Sequence, residues 1–128
     1  MVDRLFVYGT LRPGSKNEQA DWLAKTARHM GRATIGGRLY RVVYYPALAL
    51  PQSKNDLVQG DLFEGVTAEI LQRLDEYEGD EYLRQPVEAT LEDGRALTAY
   101  CYRYALPTDQ LEWIPSGDWN LHSKIITG

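Results

Sequence analysis

Two runs of alternating residues meet at Asp93-Gly94, and that junction constrains the fold more than any other feature of the chain. Val87, Ala89 and Leu91 alternate with Glu88, Thr90 and Glu92, and beyond the dipeptide Leu97 to Tyr104 reads as a further strand. Asp-Gly suits the two-residue turns whose positive φ angles match the twist of the flanking strands. The segment therefore predicts an antiparallel hairpin, half-buried on one face.

Further elements follow from local signals. Arg4-Leu5-Phe6-Val7-Tyr8 reads as a short buried strand ending at Gly9. Pro13-Gly14 mark a loop, and Ser15-Lys16-Asn17-Glu18 has capping-box spacing ahead of a helix. Leu23, Ala24, Ala27 and Met30 fall at helical spacing, which predicts a helix from about 17 to about 29 that Gly31 ends. Thr34 to Leu50 is rich in Tyr and Val and reads as one strand to about Tyr44, then an extended loop containing Pro46. Ser53-Lys54-Asn55-Asp56 is a turn, and Val58 to Phe63 is the next strand.

Thr67 is placed to cap a second helix, Glu69 suits its positive end, and Val66 can staple onto Leu71. Ile70, Leu71, Leu74 and Tyr77 make its apolar stripe, and Gly79 stops it. No repeat, linker or low-complexity tract divides residues 1–128, so a single domain is expected. Its class is α+β: five or six mostly antiparallel strands with two helices.

Charge narrows the partners. Eighteen Asp and Glu against fourteen Lys and Arg leave a net charge of −4. The basic residues are scattered singly, which argues against nucleic acid, whose binders draw most of their affinity from neutralising phosphates. The longest mainly apolar stretch, Val42 to Pro51, is too short to span a membrane and contains Pro46. No Lys- and Arg-rich amphipathic stripe suggests attachment to a membrane surface. Met1-Val2-Asp3-Arg4 leads straight into a strand without a signal peptide, so a cytoplasmic location is expected. The single Cys101 excludes an internal disulfide and a thiolate zinc site, and His29 and His122 lack ligand-like spacing. No metal and no cofactor are expected.

Two segments carry candidate chemistry. Gly9-Thr10-Leu11-Arg12-Pro13-Gly14-Ser15-Lys16 resembles a phosphate-binding loop, but Ser and Lys are exchanged and Pro13 removes an N–H. A strand ending in Gly still lets a ligand approach the backbone, where the N–H groups of residues 9 to 11 could hold a carboxylate or oxyanion. On these residues alone a plain strand-to-loop turn is the better account. Asp75, Glu76, Glu78, Asp80 and Glu81 put five carboxylates in seven residues at a helix C-terminus. Repulsion and the helix dipole raise the pKa of any member that is also desolvated, as an acid–base catalyst near neutral pH requires. A solvated acidic turn, with Arg84 as its neutralising partner, is the competing reading. Tyr100, Tyr102 and Tyr104 share one strand face and read as packing, Cys101 on the other face as a buried thiol, and Trp119 as an anchor in a turn.

Taken together, four segments resemble the γ-glutamylcyclotransferase-like superfamily over nearly the whole chain. Phe6-Val7-Tyr8-Gly9-Thr10-Leu11-Arg12 is similar to its Tyr-Gly-Ser/Thr-Leu signature, and Tyr45-Pro46-Ala47-Leu48 and Gly60-Asp61-Leu62-Phe63 to its middle segments. Leu74-Asp75-Glu76-Tyr77-Glu78-Gly79, followed by Tyr82 and Arg84, is similar to its acidic helix end. The resemblance implies a small mixed, mostly antiparallel β-barrel with two packed helices. It implies that Tyr8, Gly9, Thr10 and Leu11 bind the γ-glutamyl part of a substrate, with Tyr82 and Arg84 as further substrate-binding positions. Glu78 matches the catalytic glutamate; Glu76 is two residues away and does not.

The implied reaction is an intramolecular aminolysis. The substrate's α-amine attacks its own γ-carbonyl, 5-oxoproline forms, and an amine or amino acid leaves, with Glu78 as base and then acid. The substrate supplies the nucleophile, so no Ser, Cys or metal is required. A non-catalytic small-molecule binding protein on the same scaffold is the alternative, and an amide hydrolase releasing glutamate is a third reading. Loops around 45 to 56 and 106 to 119 are expected to shape the leaving-group pocket. Neither the leaving group nor the oligomeric state is legible in the sequence.

Overall fold

A computed structural model describes residues 2–122. In chain order the elements are β1 (Leu5–Val7), α1 (Glu18–Thr26), β2 (Arg28–Gly36), β3 (Arg38–Val42), β4 (Tyr45–Ala49), β5 (Leu57–Glu64), α2 (Ala68–Glu78), β6 (Tyr82–Leu91), β7 (Ala96–Tyr104) and β8 (Glu112–Ile114). Five strands close into a barrel in the order β1-β5-β2-β6-β7, and β4-β3-β8 form a separate three-stranded sheet. β1 and β7 close the barrel in parallel at Leu5 and Tyr100, and the other barrel pairs are antiparallel. The expected α+β barrel with α1 and α2 packed on it is what the chain forms, and residues 119–122 add a further helical turn that the two expected helices did not include.

Strand alternation separates two cores. Phe6 and Tyr8 join Ala33, Ile35, Leu62, Ala89, Ala99 and Cys101 in one cluster. Leu5 and Val7, on the opposite face of the same strand, pack with Leu23 of α1 and with Ile70, Leu71 and Leu74 of α2. The helices thus cover the face that the barrel turns outward, and β1 is buried on both sides. Tyr102 and Tyr104 pack as expected, Cys101 is buried behind them, and Trp119 is a buried anchor.

α2 begins at its expected cap, whereas α1 is capped by Asn17, two residues beyond the Ser15 that the Ser15–Glu18 spacing points to. Asn17 caps α1, its side chain accepting from the N–H groups of Gln19 and Ala20. Thr67 caps α2 through the Ile70 N–H, and Gly79 closes it at φ 74°. Asn17→Ala is expected to cost about 1 kcal/mol, read as a lower chemical-denaturation midpoint with an unchanged m-value.

Three expectations need correction. α1 stops at Thr26 instead of continuing to about 29, because Arg28–Gly36 is a barrel strand paired along its length with β5. Gly31 lies at the irregularity in that pairing, between His29 and Gly31, and not at a helix end. Thr34 to Leu50 is three strand segments where one strand and a loop were expected. The chain leaves β2, forms β3, turns at Val43-Tyr44 with Val43 at φ 52°, and returns as β4. Pro46 is tolerated because β4 is the edge of its sheet. With β8 the total is eight strands, not five or six.

Candidate active site

A cavity of about 440 Å³ opens where the end of β1, the β3–β4 hairpin and the end of α2 converge. Tyr8, Gly9, Thr10 and Leu11 form one wall, Tyr44, Tyr45 and Pro46 a second, and Tyr77 to Tyr82 with Tyr102 the third. Six of the seven residues expected at a site therefore meet in one place: Tyr8, Gly9, Thr10, Leu11, Glu78 and Tyr82. Arg84 does not line the cavity. Its Nε and Nη2 donate to the two oxygens of Asp75 at 3.0 and 3.2 Å, and its guanidinium lies 4.8 Å from the centre of the Tyr100 ring.

The Tyr8–Arg12 loop is held against its surroundings. Tyr8 is buried, and its hydroxyl donates to the Tyr102 carbonyl at 2.5 Å. Gly9 lies flat on Pro46, where a Cβ would stand 2.4 Å from Pro46 Cγ. The Arg12 N–H donates to the Gly9 carbonyl at 3.0 Å, closing a tight turn. No acceptor among the described residues pairs with the N–H groups of Thr10 and Leu11. Two donors beside a cavity suit a carboxylate or a developing oxyanion.

The acidic helix end divides by environment. Asp75 is occupied by Arg84 and by the Tyr102 hydroxyl, which donates to it at 2.7 Å. Glu76, Asp80 and Glu81 are exposed. Glu78 alone of the five is half-buried and without an ion-pair partner among the described residues. Burial pushes its carboxyl up to about 7. Its neighbours are phenols held neutral: burial, and then the Glu78 charge, raise Tyr82, and the same charge contributes to raising Tyr8 and Tyr102. Tyr82 is further fixed by donating to the Pro46 carbonyl at 2.6 Å. The solvated-turn reading thus describes Glu76, Asp80 and Glu81, and Glu78 alone has the burial and raised pKa that the acid–base reading requires.

Sequence reasoning missed part of this wall. Tyr77 was expected on the apolar stripe of α2, but its ring is 40% exposed and lines the cavity. Its hydroxyl accepts from Asn17 Nδ2 at 2.9 Å and lies 3.4 Å from Thr10 Oγ1, tying α1, α2 and the loop together. Of the two loops expected to shape the outer pocket, Tyr45 and Pro46 line it, whereas none of residues 106–119 does. Among the described residues no three His, Cys, Asp or Glu side chains gather to hold a metal ion, and no helix is long and apolar enough to cross a membrane.

Residues 5–121 match the sequence model of the family described as gamma-glutamyl cyclotransferase, AIG2-like. The chain belongs to this family. It is 34% identical over 119 residues to the gamma-glutamylcyclotransferase family protein YtfP of Escherichia coli K12, covering 91% of this chain and 95% of that protein. Among solved structures it is similar to YkqA from Bacillus subtilis, with a TM-score of 0.80 and 26% identity over 99% of this chain and 43% of that longer one. An AIG2-like protein from mouse shares the fold, with a TM-score of 0.72 and 22% identity over 91% of this chain and 93% of that chain. The cavity of this family member is thus lined by residues from three of the four segments on which the resemblance rested: Tyr8–Leu11, Tyr45-Pro46 and the end of the acidic helix with Tyr82.

Proposed function

We propose that the chain is a cyclotransferase that converts γ-glutamyl amines into 5-oxoproline and free amine. One observation carries this reading: a carboxylate with a pKa lifted to about 7 shares a cavity with two backbone N–H groups, and none of the three has a partner among the described residues. The Thr10 and Leu11 N–H groups hold the glutamyl part folded, which brings its α-amine to its own γ-carbonyl. Glu78 takes a proton from the α-ammonium as nitrogen attacks the carbonyl carbon. The tetrahedral adduct then collapses, the bond to the leaving nitrogen breaks, and Glu78 returns the proton to that nitrogen. Tyr8, Tyr82 and Tyr102, kept neutral by burial, surround the carboxylate without supplying a competing charge.

The cavity wall supports amines over amino acids as leaving groups. Among the described residues it carries Glu78, Asp80 and Glu81, and neither Lys nor Arg. A leaving group with a carboxylate meets repulsion there, and one with a second ammonium meets attraction and tyrosine faces. The γ-glutamyl amides of diaminobutane, butylamine and γ-aminobutyrate have the same carbon chain and differ in charge. With product identified by mass spectrometry, kcat/KM is expected to fall in that order, at least about tenfold from first to last at low salt. An anionic substrate turned over as fast as the cationic one contradicts the amine assignment. Absence of 5-oxoproline from all three, with ligand still raising the melting temperature, contradicts the enzyme reading and leaves a binding protein.

A further inference from the structure

Among the described residues, Arg12 and Asp61 are the charged side chains that are buried, each 5% exposed. Neither lines the cavity. A buried ion pair is a poor device for stability alone, because well-packed apolar side chains of similar volume serve as well or better. The geometry shows what this pair holds. β1 pairs with β5 so that Val7 stands opposite Asp61. The chain runs on through Tyr8, Gly9, Thr10 and Leu11, and Arg12 then sends its guanidinium back to the same Asp61, Nε to Oδ2 at 2.7 Å. The signature loop thus departs from and returns to one residue of the barrel wall.

The remaining contacts restrict rotation. Arg12 Nη1 donates to Asp118 Oδ1 at 3.2 Å, so two carboxylates on different segments grip one planar fork. His29 Nε2 lies 2.8 Å from the other Asp61 oxygen, which fixes that carboxylate's plane. A lysine could keep the distance to one acid but not the orientation set by two.

We propose that Arg12 and Asp61 are a positioning pair that aims the Thr10 and Leu11 N–H groups into the cavity. Its kinetic consequence rests on the cyclotransferase reading above, and its effect on the loop does not. Misplacement of a binding group by about 1 Å can cost on the order of 100-fold in rate, so the aim of two N–H groups repays such fixing.

The test is the apolar double variant Arg12→Met/Asp61→Leu, with melting temperature, backbone order parameters by nuclear magnetic resonance, and kcat and KM for the γ-glutamyl amide of diaminobutane. The melting temperature is expected to match or exceed wild type. Order parameters at residues 9–11 should fall from about 0.85 to below about 0.6 while β5 stays rigid. KM should rise at least about tenfold, and the acid limb of the pH profile should not move, because the surroundings of Glu78 are untouched. A folded double variant with a rigid loop and wild-type KM overturns the proposal. Should the double variant fail to fold, Arg12→Lys decides. Loosening confined to residues 9–11 supports the pair, and a loop as rigid as wild type overturns it. A loosened loop in a protein whose wild type forms no 5-oxoproline supports the pair and refutes the cyclotransferase reading alone.

Discussion

Glu78→Gln is expected to lower kcat at least ~100-fold and, above pH 7, to make the protein more stable. Both effects have one cause. The native state holds the Glu78 proton up to about pH 7, whereas the unfolded chain releases it near the ordinary carboxylate value. The group therefore favours folding below the unfolded pKa, and that contribution disappears as pH rises through about 7, where an ionised carboxylate must sit half-buried. Glutamine keeps the shape and never ionises. The variant's advantage should be near zero at pH 4 and about 1–3 kcal/mol at pH 8, the upper end discounted for partial exposure. In wild type, kcat/KM should climb with an apparent pKa near 7, because only the ionised form accepts the α-ammonium proton. Denaturant melts at the two pH values, run beside initial rates, check both. A variant with wild-type kcat, or one destabilised at pH 8, removes Glu78 from the role of base.

Gly9→Ala should be nearly as damaging to activity while changing the stability of the fold little. The added Cβ would lie 2.4 Å from Pro46 Cγ, about 1 Å inside ordinary contact. Pro46 cannot swing aside, because its ring is part of the β4 backbone and its carbonyl holds the Tyr82 hydroxyl. The loop must move instead, and a shift of about 1 Å at a positioning element costs on the order of 100-fold in kcat/KM. The displaced residues lie outside any strand or helix, so the melting temperature should change by only a few degrees. Steady-state kinetics and a thermal melt on the same preparation separate the effects. Wild-type kcat/KM in this variant would show that the loop backbone does not position substrate.

These expectations could be framed because much of the site lies in short-range signals. Thr67, Glu69 and Gly79 mark both ends of α2 by capping chemistry, and that helix delivers Glu78 to the cavity. Asp93-Gly94 marks the hairpin that joins β6 and β7, but not the expected two-residue turn: of the pair Gly94 alone has positive φ, and the Leu91 N–H donates to the Arg95 carbonyl across a longer loop. β2 was illegible for a physical reason: Leu23, Ala27 and Met30 keep helical spacing, and what makes Arg28–Gly36 a strand is pairing with β5, some thirty residues away. β8 is three residues long and exists through pairing with β3. Pro46 reads as a strand breaker until β4 is known to be an edge.

The same limit applies to the chemistry. No spacing rule separates Glu78 from Glu76, Asp80 or Glu81; their burial does, and burial is a tertiary property. Arg84 was expected at the substrate, whereas the structure places it on Asp75. Arg12 and Asp61 lie 49 positions apart, and nothing local to either announces the pair.

The central claim, intramolecular attack by the substrate's own amine, is tested most directly by running the wild-type reaction in water enriched in heavy oxygen. A γ-glutamyl amine should yield 5-oxoproline without heavy oxygen, since the γ-carbonyl oxygen is retained and water takes no part. Glutamate carrying heavy oxygen would show that water is the nucleophile, and would contradict the account.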